Sequence, residues 1–124
     1  MHVILNSKIV LIAEDEVLIR TSAMAALVDS GFGVLEATHA DHALTFLHSH
    51  PRIHLLFTDI HMPGGTMNGL ELAHHVHTTW PWIALLMVSG EAQPTHMPPG
   101  CRFLSKPYHL DHVVAHVRSL LPAD

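Results

Sequence analysis

His54-Leu55-Leu56-Phe57-Thr58-Asp59 is followed at once by Ile60-His61-Met62-Pro63. An apolar run that stops at a carboxylate before a turn reads as a buried strand delivering an acid to the edge of a sheet. The same event occurs three more times. Lys8-Ile9-Val10-Leu11-Ile12-Ala13 ends in Glu14-Asp15-Glu16, Ile83-Ala84-Leu85-Leu86-Met87-Val88 ends in Ser89-Gly90, and Cys101-Arg102-Phe103-Leu104-Ser105 ends in Lys106-Pro107. In chain order, four strands release an acid pair, an acid, a hydroxyl and an amine. That set would bind a divalent metal and a phosphoryl group carried on a carboxylate.

Helical patterns separate the strands, which favours an α/β fold with a parallel sheet. The first helix is expected over about Glu16 to Ser30, stopping at Gly31, with a short strand at Gly33-Val34-Leu35-Glu36-Ala37. Ala40, Ala43, Leu44 and Leu47 then fall on one face of a second helix closed by Pro51. After Asp59 comes a loop, Pro63-Gly64-Gly65-Thr66-Met67-Asn68-Gly69. The third helix, about Leu70 to Thr79, packs on Leu72, Ala73 and Val76. Leu110, Val113, Val114, Val117 and Leu121 mark the last helix. Between Ser89 and the final strand lie Pro94, Pro98 and Pro99, so that stretch is expected to be a loop or at most one turn.

The 124 residues, 48% of them hydrophobic, suit one domain spanning 1–124 with its core at about 8–121. No apolar run approaches the roughly 20 residues of a membrane span, and Met1-His2-Val3-Ile4-Leu5-Asn6 lacks the basic region of a secretory signal. Cys101 is the sole cysteine, which rules out an internal disulfide. A soluble, cytoplasmic protein with no membrane partner is expected. Six Lys+Arg against 11 Asp+Glu, without a basic stripe, argue against nucleic-acid binding. The 14 histidines make net charge sensitive to pH near the unperturbed histidine value of about 6.5.

In open α/β sheets ligands sit at the carboxyl ends of the strands, and right-handed crossovers bring those ends to one edge. Glu14, Asp15, Asp59, Ser89 and Lys106 all occupy such ends. Clustered carboxylates repel unless a cation offsets them, and oxygen donors without a nitrogen or sulfur set suit Mg²⁺ or Mn²⁺. Lys106 would add a fixed positive charge and Ser89 a hydrogen-bond donor for a phosphoryl group.

With these residues in this order, the chain resembles a response-regulator receiver domain of two-component signalling, of the stand-alone type. The similarity runs from about Lys8 to Leu121. It rests on the acidic pair, Asp59-x-x-Met62-Pro63, the helix start Asn68-Gly69-Leu70-Glu71-Leu72, and Lys106-Pro107. The resemblance implies a flavodoxin-like, doubly wound sheet of five parallel strands in order 2-1-3-4-5, with helices on both faces. It implies Asp59 as phosphoacceptor from a sensor histidine kinase or a histidine phosphotransfer protein. Mg²⁺ (or Mn²⁺) would be held by Asp15, Asp59, the backbone carbonyl of His61 and, through water, Glu14. Ser89 and Lys106 would hold the phosphoryl group, with a cis bond between Lys106 and Pro107. Phe103 would be the aromatic switch, and His61 and Glu91 would tune dephosphorylation. Such a protein is a signalling switch rather than an enzyme, and its output passes through a downstream protein that the sequence does not name.

Two departures stand out against that family. Ser89 and Lys106 are only 17 positions apart (106 − 89), so the fourth helix of the family is expected to be shortened or absent. The loop after Pro63 carries the extra residues Gly64-Gly65-Thr66, which could shift the metal loop. Glu16 reads as a first-turn helix acid. His109, His112 and His116 read as a water-facing stripe opposite Val113 and Val117, and His74, His75 and His77 as surface residues of the third helix. Three rivals remain: a Mg²⁺-dependent aspartyl phosphatase, which would want a second acid where His61 stands; a pseudo-receiver acting as a constitutive binding module; and a fragment of a hybrid kinase.

Overall fold

A computed structural model describes residues 8–122. Met1–Asn6, read above for a signal, lies outside them. The elements are β1 (Ile9–Ala13), α1 (Val17–Asp29), β2 (Gly33–Ala37), α2 (Ala40–Ser49), β3 (Ile53–Asp59), α3 (Gly69–Thr79), β4 (Ala84–Ser89), β5 (Arg102–Ser105) and α4 (Leu110–Leu120). The five strands form one sheet in the order β2-β1-β3-β4-β5, parallel throughout. Fold class and strand order are those expected.

The continuous apolar runs belong to the central strands because both faces of the sheet are covered. Leu11, Ala13, Leu56, Leu85 and Met87 point to the face packed by Ala43 and Leu47 of α2 and Leu72 and Val76 of α3. Val10, Ile12, Leu55, Phe57, Leu86 and Val88 point to the face packed by Ala23 and Leu27 of α1 and Val113 and Val117 of α4. The strand period of two thus sends alternate residues into two separate cores. The three expected helical faces pack as the periodicity indicates, except that Leu110, at the start of α4, is exposed.

Local signals set the boundaries. Glu16 is the N-cap of α1, and Gly31 follows its end with φ 96°, a conformation open to glycine. Asn68 and Glu71 form a reciprocal capping box at the start of α3. Residues 90–101 contain no helix, as the prolines predict. In place of the helix, His74 of α3 hydrogen-bonds through Nε2 to the backbone oxygen of His96 (2.6 Å), and Met97 packs against the α2/α3 core. His74 is exposed, as expected, and its bond ties the irregular segment to α3.

Candidate phosphoacceptor and metal site

The strand ends are tied to one another by main-chain hydrogen bonds. The amide of Glu14 donates to Ala37, that of Ile60 to Val88 and that of Lys106 to Ser89, at 3.0, 3.1 and 2.9 Å. With β1 paired in parallel to β3, Ala13 opposite Thr58, the exits of β1, β3, β4 and β5 lie at one edge, and with them the residues that follow. Glu14, Asp59 and Ser89 are buried, Asp15 and Lys106 half-buried.

Glu14, Asp15 and Asp59 can each offer a carboxylate oxygen within 4.8 Å of the others. Lys106 reaches into the same space, its Nζ lying 2.7 Å from Glu14 Oε1 and 3.0 Å from Asp59 Oδ2. Burial works against its charge, but the two carboxylates outweigh it and raise the Lys106 pKa above the ordinary lysine value. The Glu14 carboxyl is pushed up to about 7. Burial is the chief cause and the charge of Asp59 adds to it, while Lys106 and the Glu16 amide pull the other way. Carboxylates desolvated to this degree, with one ammonium among them, fit a hard divalent cation. Asp15, Asp59 and Glu14 are the side chains that would hold it.

This pocket makes stability depend on pH. An acid whose folded pKa lies above its ordinary value of 4.5, here near 7, stabilises the fold fully below 4.5 and loses that contribution as pH rises through 7. Without divalent cation, unfolding free energy is expected to fall by on the order of 3 kcal/mol as Glu14 ionises. Millimolar Mg²⁺ should restore most of it, and Glu14→Gln should abolish the fall. Urea titrations across this range, with and without Mg²⁺, check this. An equal fall in Glu14→Gln would assign it to the histidines instead.

Around the pocket, Ser89 Oγ accepts a hydrogen bond from the Glu91 amide (3.0 Å). His61 Nε2 lies 2.9 Å from Glu91 Oε2, both side chains exposed, so these two residues bridge the exits of β3 and β4. The Lys106–Pro107 peptide is cis. Phe103 lies apart from the acids, half-buried against the α2/α3 core and in register with Met87. The exposed Glu16 comes no nearer to Lys106 than 3.9 Å. The extra residues after Pro63 are held on α2, where both the amide and the hydroxyl of Thr66 donate to the Asp41 carboxylate, at 3.2 and 2.8 Å. Among the described residues, no histidine joins a three-residue group with metal-ligand spacing.

Three residues at the site escaped the reading of the sequence. Gly69 lies against the backbone of Asp59, although the sequence shows it only as part of a helix start. Thr58, buried beside the Asp59 side chain, donates its hydroxyl to the Asp59 carbonyl (2.8 Å). Arg20 donates from Nη1 to the Glu14 carbonyl (2.9 Å) and from Nε to Glu36 Oε1 (3.0 Å). A signal for the last was available in Glu36, a charge near the end of an otherwise apolar strand.

Comparison with known proteins agrees with this geometry. A family model described as the response regulator receiver domain matches residues 10–118. The chain is 31% identical to the response regulator receiver protein CpdR of Brucella abortus, over 94% of this chain and 98% of that protein. It is 30% identical to the sensor kinase CckA of the same organism, over 94% of this chain but only 13% of the kinase. Among solved structures, a response regulator receiver protein from Sinorhizobium medicae superposes with a TM-score of 0.87 at 25% identity, covering 95% of this chain and 97% of that one. The receiver domain of the hybrid histidine kinase CckA superposes with a TM-score of 0.80 at 28% identity, covering 91% and 98%.

Proposed function

Because the chain belongs to the response regulator receiver domain family, we propose that it takes a phosphoryl group on Asp59 and switches the binding of a partner protein. The observation that carries this reading is the meeting of Asp59, Glu14 and Lys106 in one buried pocket at the strand ends.

An Asp59 carboxylate oxygen attacks the phosphorus of a phosphohistidine on a kinase or phosphotransfer protein. The new O–P bond forms as the P–N bond breaks, and the leaving imidazole takes a proton from solvent. Bound Mg²⁺ would supply positive charge to the phosphoryl oxygens. Lys106, already 3.0 Å from Asp59, provides a second positive charge that needs no reorganisation. The Ser89 hydroxyl accepts from Glu91, which leaves its own hydrogen to donate to a phosphoryl oxygen. Hydrolysis reverses the modification: water attacks phosphorus, orthophosphate leaves and the carboxylate is restored. The bridged His61 and Glu91, 2.9 Å apart, would limit the approach of that water. Phe103, on the strand that ends beside Lys106, is the side chain proposed to move when Ser89 turns to the phosphoryl group.

A histidine kinase as donor is supported by the similarity to the receiver of CckA. Residues 1–124 act in this reading as one receiver domain that catalyses only its own modification.

Intact mass after incubation with acetyl phosphate tests the reading. A single adduct is expected with Mg²⁺, and none without Mg²⁺ or in Asp59→Asn, which keeps the fold but lacks the nucleophile. An adduct of equal yield in Asp59→Asn would overturn the assignment. Lack of both an adduct and beryllofluoride binding would favour a constitutive binding module.

A further inference from the structure

The acid pair does not hold its position unaided. Glu14 and Asp15 lie on the short connection between β1 and α1, with no regular backbone pairing of their own beyond the Glu14 amide bond to Ala37. Glu14 is nonetheless tied at every polar group. Its amide donates to Ala37, its carboxylate oxygens meet the Glu16 amide (3.1 Å) and Lys106 (2.7 Å), and its carbonyl accepts from Arg20 (2.9 Å). The Arg20 guanidinium is itself anchored on Glu36, near the end of the neighbouring strand β2. Its side chain is 13% exposed, and both bonds are partly buried.

We propose that Arg20 is a positioning residue for the divalent cation: its guanidinium, anchored by Glu36, clamps the Glu14 carbonyl and so sets the acid pair for binding. This rests on the proposed metal-dependent phosphoacceptor function. The planar fork of arginine suits the task, since it reaches two acceptors at a fixed angle where a lysine ammonium offers a point charge. Glu36 also balances the charge of Arg20, so the clamp does not act by repelling a cation. Outer groups that orient metal ligands typically change affinity by about tenfold or more when removed.

The sign of the effect separates this role from plain electrostatics. Removing a positive charge beside a cation site should tighten cation binding, whereas removing a clamp should weaken it. Mn²⁺ binding to the full chain, followed by the loss of the free-ion electron paramagnetic resonance signal, provides the readout. The dissociation constant is expected to rise about tenfold in Arg20→Met. It should rise in Arg20→Lys too, which keeps the charge but not the fork, while metal-free circular dichroism stays unchanged. Should Arg20→Met fail to fold, Arg20→Lys decides by the same criterion. Unchanged or tighter Mn²⁺ binding in the folded variant would overturn the positioning role. If the unaltered protein binds no Mn²⁺, the metal reading itself falls and the clamp falls with it.

Discussion

Gly69→Ala is expected to cost about 3 kcal/mol or more of unfolding free energy, since overpacking against atoms that cannot yield reaches the upper end of such costs. A β-carbon at Gly69 would overlap the backbone oxygen of Asp59, lying 2.7 Å from its carbonyl carbon and 2.9 Å from the Ile60 Cα. These are backbone atoms at and just after the end of the buried strand β3, not the tip of a flexible side chain. The close approach is itself structural, for the Gly69 amide donates to the Ile60 carbonyl at 2.8 Å and seats α3 on the end of β3. Alanine would gain up to about 1 kcal/mol of helix propensity over glycine, which is too little to offset the overlap. Equilibrium urea unfolding checks the outcome, and a loss under about 1 kcal/mol would show that the loop can relax. In whatever folds, Asp59 must be displaced, so the rate of modification by acetyl phosphate should fall as well.

Lys106→Met should separate metal binding from phosphoryl transfer. The ammonium stands between Glu14 and Asp59, and removing one partner of a buried charge group typically costs about 3–5 kcal/mol. The loss should be largest in metal-free protein above pH 7, where Glu14, with its pKa raised to about 7, is ionised. It should shrink on acidification as Glu14 takes up a proton. Mg²⁺ binding should persist or tighten, because a competing positive charge has gone. The rate of phosphoryl acquisition should drop on the order of 100-fold, the usual effect of deleting one preorganised electrostatic contact to a transition state. Calorimetric Mg²⁺ titration beside intact-mass kinetics would test the separation. A normal rate with intact metal binding would remove Lys106 from the mechanism.

Much of this was legible in the sequence for identifiable reasons. Leu55-Leu56-Phe57 and Leu85-Leu86-Met87 read as strands because a parallel strand covered on both faces needs no polar alternation. Asp59, Ser89 and Lys106 could be placed at strand exits because each directly ends an apolar run. Pro94, Pro98 and Pro99 forbid a regular helix between β4 and β5 whatever surrounds them. The order of the sheet followed from family resemblance, since local pattern specifies strands but not their neighbours.

Other features were decided by tertiary structure alone. Arg20 and Glu36, Gly69 and Asp59, His74 and His96, and Asp41 and Thr66 are each parted in sequence by a turn, a helix or more. Taken locally, Arg20, His74 and Asp41 are ordinary polar residues of helices, and Gly69 is an ordinary helix start. Whether such a residue meets water or a particular carbonyl depends on which faces the crossovers bring together. Hydrophobic periodicity and backbone stereochemistry act within one element and are written in the sequence of that element. A hydrogen bond or steric contact between elements depends on positions of a few ångströms that arise only once both cores have closed around the sheet.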